Sequence, residues 1–459
     1  MKNIFFTILT LLSLNTLVAQ TGLMGYGSKA IVPSMSANPA MTTDARLVVA
    51  LPFVSSFQLE ATTSFRLAEA MVKNSKGKTV FDVSKFAAAA KEQNTATMNF
   101  GLDIFSVGFR TKSNYFISAG MQHFSTFKGT GSDDLLKLIA DGNAGKPIVS
   151  LDKESIYINQ FNAFYGGVSR SFLEERLTIG ARLKMYQGIG HLQSDKAALT
   201  IKTDANSNPA YAISMTGSLQ AEGAGIYGIA LDSNLRKKFA TNARSNSFGK
   251  GFGLDFGASF KINDKINISA SAVNLGSIKW KQDFARFVKL SGTGNFAFGG
   301  LKRQIGVDGQ PTVGKNIDSI QANFDKAFTL STSKVGYSRG LPSIIAAAVS
   351  YSISDKHQVM ALLRSQSMNG DRVNLVGLKY HFMPIRSLQL MGGISVVTDA
   401  PVSFGAGVVW SPGPFQLHLL ADNIAGLSAW DNNNYTQIQM GLNVVLKKKK
   451  SAVVETETK

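Results

Sequence analysis

The sequence contains no cysteine, which excludes a disulfide framework, a thiolate metal site, a cysteine nucleophile and a lipoprotein anchor. Charged residues make up only 17% of the 459 residues, below the share of about 25% in a typical soluble domain. After the N-terminus no run of about 20 apolar residues occurs, so the sequence does not predict a helical membrane protein. Without a glycine period or a sustained heptad, and with 44% hydrophobic residues, collagen, coiled-coil and disordered chains are excluded too.

Residues 1–20 are typical of a secretory signal peptide. Lys2 supplies the charged start, Ile4 to Leu12 form the apolar region, and Ala19 offers a small residue for cleavage. We therefore expect export, with a mature chain that begins at Gln20 or Thr21.

The chain is basic, with a formal net charge of +18. The basic residues are scattered, and neither a recognition helix nor an RNA-binding signature occurs, so we expect no nucleic acid partner. An exported cationic chain can face anionic lipid instead. We expect outer-membrane lipid and lipopolysaccharide as partners, and another envelope protein as a further candidate.

Much of the chain alternates between apolar and polar or small residues. The stretches 387–397, 414–422 and 435–446 each give a strand of about ten residues with one apolar face. Length and pattern favour a transmembrane β-barrel, because the strands of soluble sandwiches are usually nearer five or six residues.

Six tight turns cut the mature chain into seven strand pairs. They lie at 111–114, 173–176, 263–264, 355–356, 383–385 and 412–414. Seven pairs predict an all-β fold, a closed antiparallel transmembrane β-barrel of about 14 strands, with short turns on the periplasmic side and longer outer loops. Because 208–222 and 285–299 also alternate, either as a hairpin outside the membrane or as added strands, 12 to 16 strands are acceptable.

The predicted domain organisation has four parts. These are a signal peptide at 1–20, an N-terminal segment at 21–45, the barrel at 46–446 and a basic periplasmic tail at 447–459. Short helices are expected in the outer loops, among them one after the capping residue Ser132 and one from Asp82. The segment 21–45 either folds into the lumen as a plug, with Asn38, Pro39 and Ala40 as candidates, or forms a periplasmic tail.

Catalytic signals are weak, and we expect no enzyme, no cofactor and no metal site. The chain has five histidines, none at metal-ligand spacing. Gly309 to Lys315 imitates a phosphate loop but continues with Asn316 where Ser or Thr should follow, and Gly292 to Ala297 matches a dinucleotide fingerprint without a βαβ context.

His123 and Ser125 stand two apart on a predicted strand and so share one face. A His-x-Ser pair on a barrel strand is the arrangement of outer-membrane phospholipases, in which the histidine acts as base for a serine nucleophile. No acidic or amide partner is near in sequence, so we interpret the pair as a polar pair near the outer membrane interface.

Four stretches resemble one family of exported barrels. They are Ser36 to Ala40, Leu138 to Gly145, Gly249 to Gly257, and Asn274 to Trp280. The chain resembles the Bacteroidota outer-membrane barrels grouped as domain of unknown function 5723, and more distantly the long-chain fatty-acid transporter type and the type IX secretion shuttle. Asn274 departs from the aspartate expected there. The resemblance implies fold and outer-membrane context, with no catalytic residues and no substrate.

Two functions remain open at this stage. The first is passive or gated passage of a small or hydrophobic solute through a polar lumen. The second is a plugged scaffold or binding barrel, whose long loops hold another envelope protein or a secreted protein. The residues predicted to line the lumen are Gln389, Ser395, Gln416, His418, Gln437, Gln439 and Asn443.

Overall fold

The fold is given by a computed structural model of the chain. The residues that it describes are 22–27, 31–42, 45–73, 75, 77–141, 147–195, 197–206, 212–231, 248–296, 304–305, 311–312, 328–398, 400–428 and 432–447. The predicted signal peptide, most of the predicted tail and nearly all of the phosphate-loop imitation lie outside the described residues.

Strands dominate the described part of the chain. In chain order they are β1 (Ala45–Ala50), β2 (Phe57–Thr63), β3 (Met71–Lys73), β4 (Thr79–Phe81), β5 (Gln93–Arg110), β6 (Tyr115–Ser132), β7 (Ile148–Leu151), β8 (Ser155–Phe172), β9 (Leu177–Ser194), β10 (Ala198–Asp204), β11 (Ala212–Gly225), β12 (Gly249–Lys261), β13 (Ile266–Trp280), β14 (Ala285–Phe296), β15 (Gln304–Ile305), β16 (Pro311–Thr312), β17 (Phe328–Lys334), β18 (Tyr337–Gly340), β19 (Ser343–Ser354), β20 (His357–Met368), β21 (Asp371–Ile385), β22 (Leu388–Val397), β23 (Ser403–Trp410), β24 (Phe415–Ala421) and β25 (Tyr435–Lys447).

Helices are short. They are α1 (Val32–Ala37), α2 (Val83–Ala89), α3 (Asp133–Asp141), α4 (Ile226–Leu231) and α5 (Ile424–Ser428), with two 3-10 turns at Leu67–Ala70 and Gln282–Phe284. Two lie where caps predicted them, because Asp82 accepts from the N–H of Lys85 at 3.1 Å and Ser132 from that of Leu135 at 3.2 Å. Among the described residues, none of these helices is long and apolar enough to cross a membrane.

The strands close into an antiparallel barrel of 14 positions, which confirms the predicted fold class and count. The first position is shared by β1 and β2, and the others are taken in turn by β5, β6, β8, β9, β12, β13 and β19 to β25. The last strand pairs with both β1 and β2, which closes the sheet. The short turns lie at one end. At the other end Asn369 and Gly370, with φ of 49° and 86°, make the tight hairpin between β20 and β21.

The alternating stretches 208–222 and 285–299 add no strands to the barrel. There β11 pairs with β14 and also with β9 above the end of β12, so a sheet continues beyond the barrel. The strands β7, β10 and β17 extend that sheet. Of the two sequence alternatives, the structure therefore has the extended hairpin.

Alternation along each strand separates an apolar outer face from an inner face. On β21, Val376 and Leu378 are more than half exposed on the outside, whereas Leu375 and Lys379 are buried inside. The same pattern recurs around the barrel, because successive side chains of a strand point to opposite faces.

Candidate functional site

The lumen is the candidate site, and it contains all seven residues predicted to line it. Each is at most 5% exposed on the inner face. Five of the seven side chains make hydrogen bonds, whereas the buried polar atoms of Ser395 and His418 have no hydrogen-bond partner among the described residues. Gln389 Oε1 lies 2.9 Å from His381 Nε2, and Gln416 accepts from the N–H of Val32 at 3.0 Å. They line a lumen that the N-terminal segment occupies, which is one of the two alternatives that the sequence left open.

The N-terminal segment, described at residues 22–27 and 31–42, fills the lumen from the end with the short turns to its middle. Its first residues are held by Asp422, whose carboxylate accepts from the N–H groups of Leu23 at 2.6 Å and Met24 at 2.9 Å. Lys379 donates to the carbonyl oxygen of Met24 at 3.2 Å and to that of Tyr26. Two ionisable side chains of the wall therefore bind the backbone of the segment. Charge-assisted hydrogen bonds are stronger than those between neutral groups.

The C-terminal part of the segment is fixed through Asn38, one of the three plug candidates. Its Nδ2 donates to the carbonyl oxygens of Ala258 on β12 at 3.4 Å and Ala270 on β13 at 3.1 Å. Its Oδ1 accepts from the N–H of Ala40 at 2.9 Å. Asn38 and Ala40 are fully buried, and Pro39 lies between them against β9. The amide of Asn38 thus joins the segment to the strand backbones.

Glycines of the inner wall make room for the segment. A Cβ on Gly393 would lie 2.6 Å from Met24 Cε, and one on Gly377 would lie 2.7 Å from Leu23 Cδ2. A Cβ on Gly257 or Gly180 would collide with Asn38 or with the backbone of Pro39. The wall is therefore shaped to the segment over both its ends, because such distances are far below van der Waals contact.

The N-terminal segment is one closure of the lumen. An ion pair that crosses the lumen nearer the outer loops is a second. Arg364 Nη2 on β20 stands 3.3 Å from Glu60 Oε2 on β2, with both side chains at most 4% exposed. The strands β21 to β25 separate these two walls on one side of the barrel. Lys128 of β6 and Asp371, at the start of β21, form a further ion pair at the outer mouth.

A buried charge cluster lies on β9 and β12, beside the N-terminal segment. Lys184 Nζ is 2.8 Å from Asp255 Oδ2, and Arg182 of the same strand is 3.8 Å from it. Arg182 also donates to the carbonyl oxygen of Met35 in the N-terminal segment. Asn274 has a φ of 59° in the bulge of β13 opposite Asp255, whose carboxylate accepts the N–H of Asn274 at 2.7 Å. Both asparagine and aspartate tolerate this left-handed conformation, which accounts for Asn274 in place of aspartate.

The first barrel position is interrupted between β1 and β2. Residues 51–56 belong to neither strand, and Phe53 has a φ of 63°. Single backbone hydrogen bonds still join Phe53, Val54 and Ser56 to the neighbouring strands β5 and β25. Phe53 and Val54 turn outward and are 64% and 52% exposed, whereas Ser55 and Ser56 are buried on the inner side. Pro52 is consistent with the break, because proline has no N–H to give to a ladder.

A small cavity lies between the segment, the charge cluster and this interruption. Its volume is about 40 Å³, which is room for a few water molecules only. Its lining includes Tyr26 and Ser36 of the segment, Arg364, and Gly101 and Leu102 beside the interruption. A solute therefore needs the segment or the wall to move before it can pass.

The other sequence candidates contribute nothing to the lumen. Gly292 and Gly294 lie within β14, a strand without a βαβ context. Among the described residues, no three His, Asp or Glu side chains are grouped so that they could hold a metal ion. His123 and Ser125 face outward, since their neighbour Gln122 points inward and donates to Ser36 Oγ at 3.3 Å.

Sequence reasoning missed the charged residues that close the lumen. Glu60, Arg364, Lys379 and Asp422 stand at or beside inner positions of alternating strands. The available signal was a lone charge flanked by apolar residues, as at Lys379 between Leu378 and Tyr380. Such a charge on a barrel strand points to the inner face.

Comparison with known proteins gives one family and several barrels of similar shape. The chain matches the family of unknown function DUF5723 over residues 39–422. A search of curated proteins finds no significant match. Among solved structures, the toluene transporter TbuX of Ralstonia pickettii is 10% identical, with a TM-score of 0.44 over 95% of this chain and 100% of that one.

Two further structures are similar to the same degree. A FadL homologue of Pseudomonas aeruginosa is 8% identical, with a TM-score of 0.43 over 94% of this chain and 99% of that one. The toluene transporter TodX of Pseudomonas putida is 10% identical, with a TM-score of 0.40 over 93% and 98%. These likenesses concern shape and do not identify a substrate. The family match covers most of the chain and agrees with the resemblance found in the sequence, so the chain belongs to the DUF5723 family.

Proposed function

We propose that this protein is an outer-membrane barrel that passes a small hydrophobic solute under the control of its N-terminal segment. The observation that carries the proposal is the filled lumen beside an interrupted wall. The N-terminal segment and the Glu60–Arg364 ion pair block an axial aqueous path. The interruption at 51–56 lies beside the small cavity, so an exit through the wall there would avoid both closures.

The outer face supports a membrane setting. Large apolar side chains such as Leu183, Leu378 and Phe404 are at least 56% exposed there. A continuous exposed apolar band is unfavourable in water and matches the band of membrane barrels. A closed ladder also leaves no unpaired sheet edge for lipid to satisfy. Outer-membrane lipid and lipopolysaccharide are accordingly the proposed surroundings, with the signal peptide as the means of export.

The side route favours an apolar solute over an ion. A solute that leaves through the wall at 51–56 meets Phe53, Val54 and then the bilayer, so its own apolar surface stays out of water. The buried charges of the lumen would not favour this solute, and they would hold the segment in place while no solute is bound. Passage is then gated by displacement of the segment.

The test compares the mature chain with a variant that lacks residues 21–45. Ion conductance is measured in planar bilayers, and uptake of N-phenylnaphthylamine, a small apolar fluorophore, in a Gram-negative host. We expect negligible conductance and clear uptake for the intact chain, and conductance only after deletion. Steady conductance of the intact barrel would contradict the gated lumen. Absence of uptake from both forms would contradict solute passage and leave the scaffold function.

A further inference from the structure

The outward face of β6, β8 and β9 carries a cluster of polar side chains that the lumen does not use. His123 and Ser125 of β6 stand directly opposite Asn162 and Gln160 of β8. Asn162 in turn stands opposite Gln187 of β9. Below this cluster the outward positions are apolar, for example Ile117 and Met185, which are 38% and 51% exposed. The cluster therefore lies where an apolar band meets a polar rim.

Asn162 is the amide partner that the sequence did not reveal. Its Oδ1 lies 2.9 Å from His123 Nδ1, and its Nδ2 donates to Gln187 Oε1 at 3.4 Å. The bond to Gln187 orients the amide so that its oxygen faces the histidine. The histidine then carries its proton on Nδ1 and keeps a lone pair on Nε2 for use as a base.

Ser125 is the candidate nucleophile for such a base, although His123 bonds to Asn162 and Ser125 to Gln160, so the imidazole must turn toward the hydroxyl. Ser125 follows His123 by two residues on the same face, a spacing of about 6–7 Å along a strand. Gln160 Nε2 donates to Ser125 Oγ at 2.9 Å. The amide of Gln160 is thereby positioned beside the atom that would attack, where it can donate to an oxyanion. Both side chains are at most 6% exposed, so a lipid reaches Ser125 only when the side chains around it move aside.

We propose that Ser125, His123 and Asn162 form a hydrolytic site on the outer wall, which cleaves the acyl ester of a membrane lipid. Ser125 Oγ attacks the ester carbonyl carbon while His123 Nε2 takes its proton, and Gln160 donates to the oxyanion. The carbon–oxygen bond to the alcohol then breaks, and Nε2 returns the proton to the leaving alcohol. Water releases the fatty acid from Ser125 by the same steps.

The apolar wall suits this substrate. An ester carbonyl of a lipid lies between the polar headgroup and the acyl chain, and the cluster has the corresponding position between rim and band. The acyl chain of the lipid would lie along Met121 and Ile117, which continue the outward face of β6 below His123. This argument rests on the proposed membrane setting, whereas the chemistry of the site can be tested in micelles without it.

The test uses the full mature barrel, refolded in detergent, with three readouts. Fatty-acid release is measured from mixed micelles of phosphatidylethanolamine and separately from purified lipid A, which distinguishes the two lipid sources. Labelling of Ser125 by a fluorophosphonate is followed by mass spectrometry. Heat-modifiable migration on gels shows that each variant is folded.

We expect release from at least one lipid and label on Ser125. Ser125→Ala and His123→Ala should lower release about a hundredfold or more, and Ser277→Ala, an exposed outward serine of β13, should leave it unchanged. Asn162 is a positioning residue, so Asn162→Ala should slow labelling at low and neutral pH, and Asn162→Asp should restore it. A folded barrel that neither releases fatty acid nor takes the label would overturn the proposal. Full release by Ser125→Ala would do so too.

Discussion

Arg364 and Glu60 face each other across the lumen, with 3.3 Å between guanidinium nitrogen and carboxylate oxygen. Arg364 Nη2 also donates to Gln366 Oε1 at 2.8 Å, so the guanidinium is held on its own wall while it reaches the opposite one. A buried pair of this kind costs much to break on one side, about 3–5 kcal/mol, because the remaining charge has no partner.

This pair should set ion selectivity once the N-terminal segment is gone. In the barrel lacking residues 21–45, Arg364→Gln leaves Glu60 unpaired and should shift the reversal potential toward cation preference. Glu60→Gln should shift it toward anion preference. Reversal potentials in a salt gradient across planar bilayers measure both. The same substitutions in the intact chain serve as the control, because the N-terminal segment should keep those variants closed. A steady current through them would contradict two separate closures.

The fit of the segment against the wall can be tested with one glycine. Gly393→Leu should expel Leu23 and Met24, because even a Cβ at this position would lie 2.6 Å from Met24 Cε. The matched control is Gly392→Leu, since a Cβ on Gly392 meets nothing within 4 Å. Limited proteolysis of the folded barrels should cut the N-terminal segment of the first variant and spare that of the second. Equal protection would show that the segment is not seated there.

The membrane setting predicts a penalty for charge on the outer face. Leu378→Arg should lower the free energy of unfolding of the barrel in bilayers by about 2–4 kcal/mol, the penalty for a charge near the midplane. Asp355→Arg, in an exposed turn between β19 and β20, should have little effect. Urea titration of both variants in lipid vesicles gives the difference. Similar values for the two would place Leu378 in water.

The interruption of the wall predicts a side chain in contact with lipid. Phe53→Trp, in a background with Trp410→Phe, should be quenched by brominated acyl chains because residue 53 is 64% exposed on the outside. Phe116→Trp replaces a side chain that is 1% exposed and packs inside, so it should not gain quenching. Tryptophan fluorescence in vesicles is the measurement. Unchanged fluorescence of the Phe53→Trp variant in brominated lipid would remove the lipid end of the proposed side route.

Local pattern predicts the barrel well, because each strand must show an apolar face to one side and the turns are short. The alternation at 387–397 and the turn at 173–176 are readable without any distant contact. The interruption near Pro52 had a local signal too, since proline rarely sits inside a central strand. Contacts between residues that are distant in the sequence could not be predicted.

Glu60 and Arg364 are 304 residues apart, and His123 and Asn162 are 39 apart on strands joined by a long connection. The register between β6 and β8 is not set by a tight turn, so no count along the sequence pairs His123 with Asn162. The contact of Glu60 with Arg364 follows from closure of the barrel, and that of His123 with Asn162 follows from strand register. Neither follows from local periodicity.

The anchorage of the N-terminal segment has a consequence for biogenesis. The N-terminal segment precedes every strand of the barrel, yet its partners include Ala258, Lys379 and Asp422, which come late in the chain. The segment cannot reach its seat until those strands have been made, and the seam between β25 and the first strands then encloses it. During assembly, β25 must therefore stay unpaired from β1 and β2 until the segment has entered, or the segment must enter a barrel that has already closed. The order in which the segment enters and the last strand pairs with the first therefore decides whether the newly assembled barrel has a filled lumen.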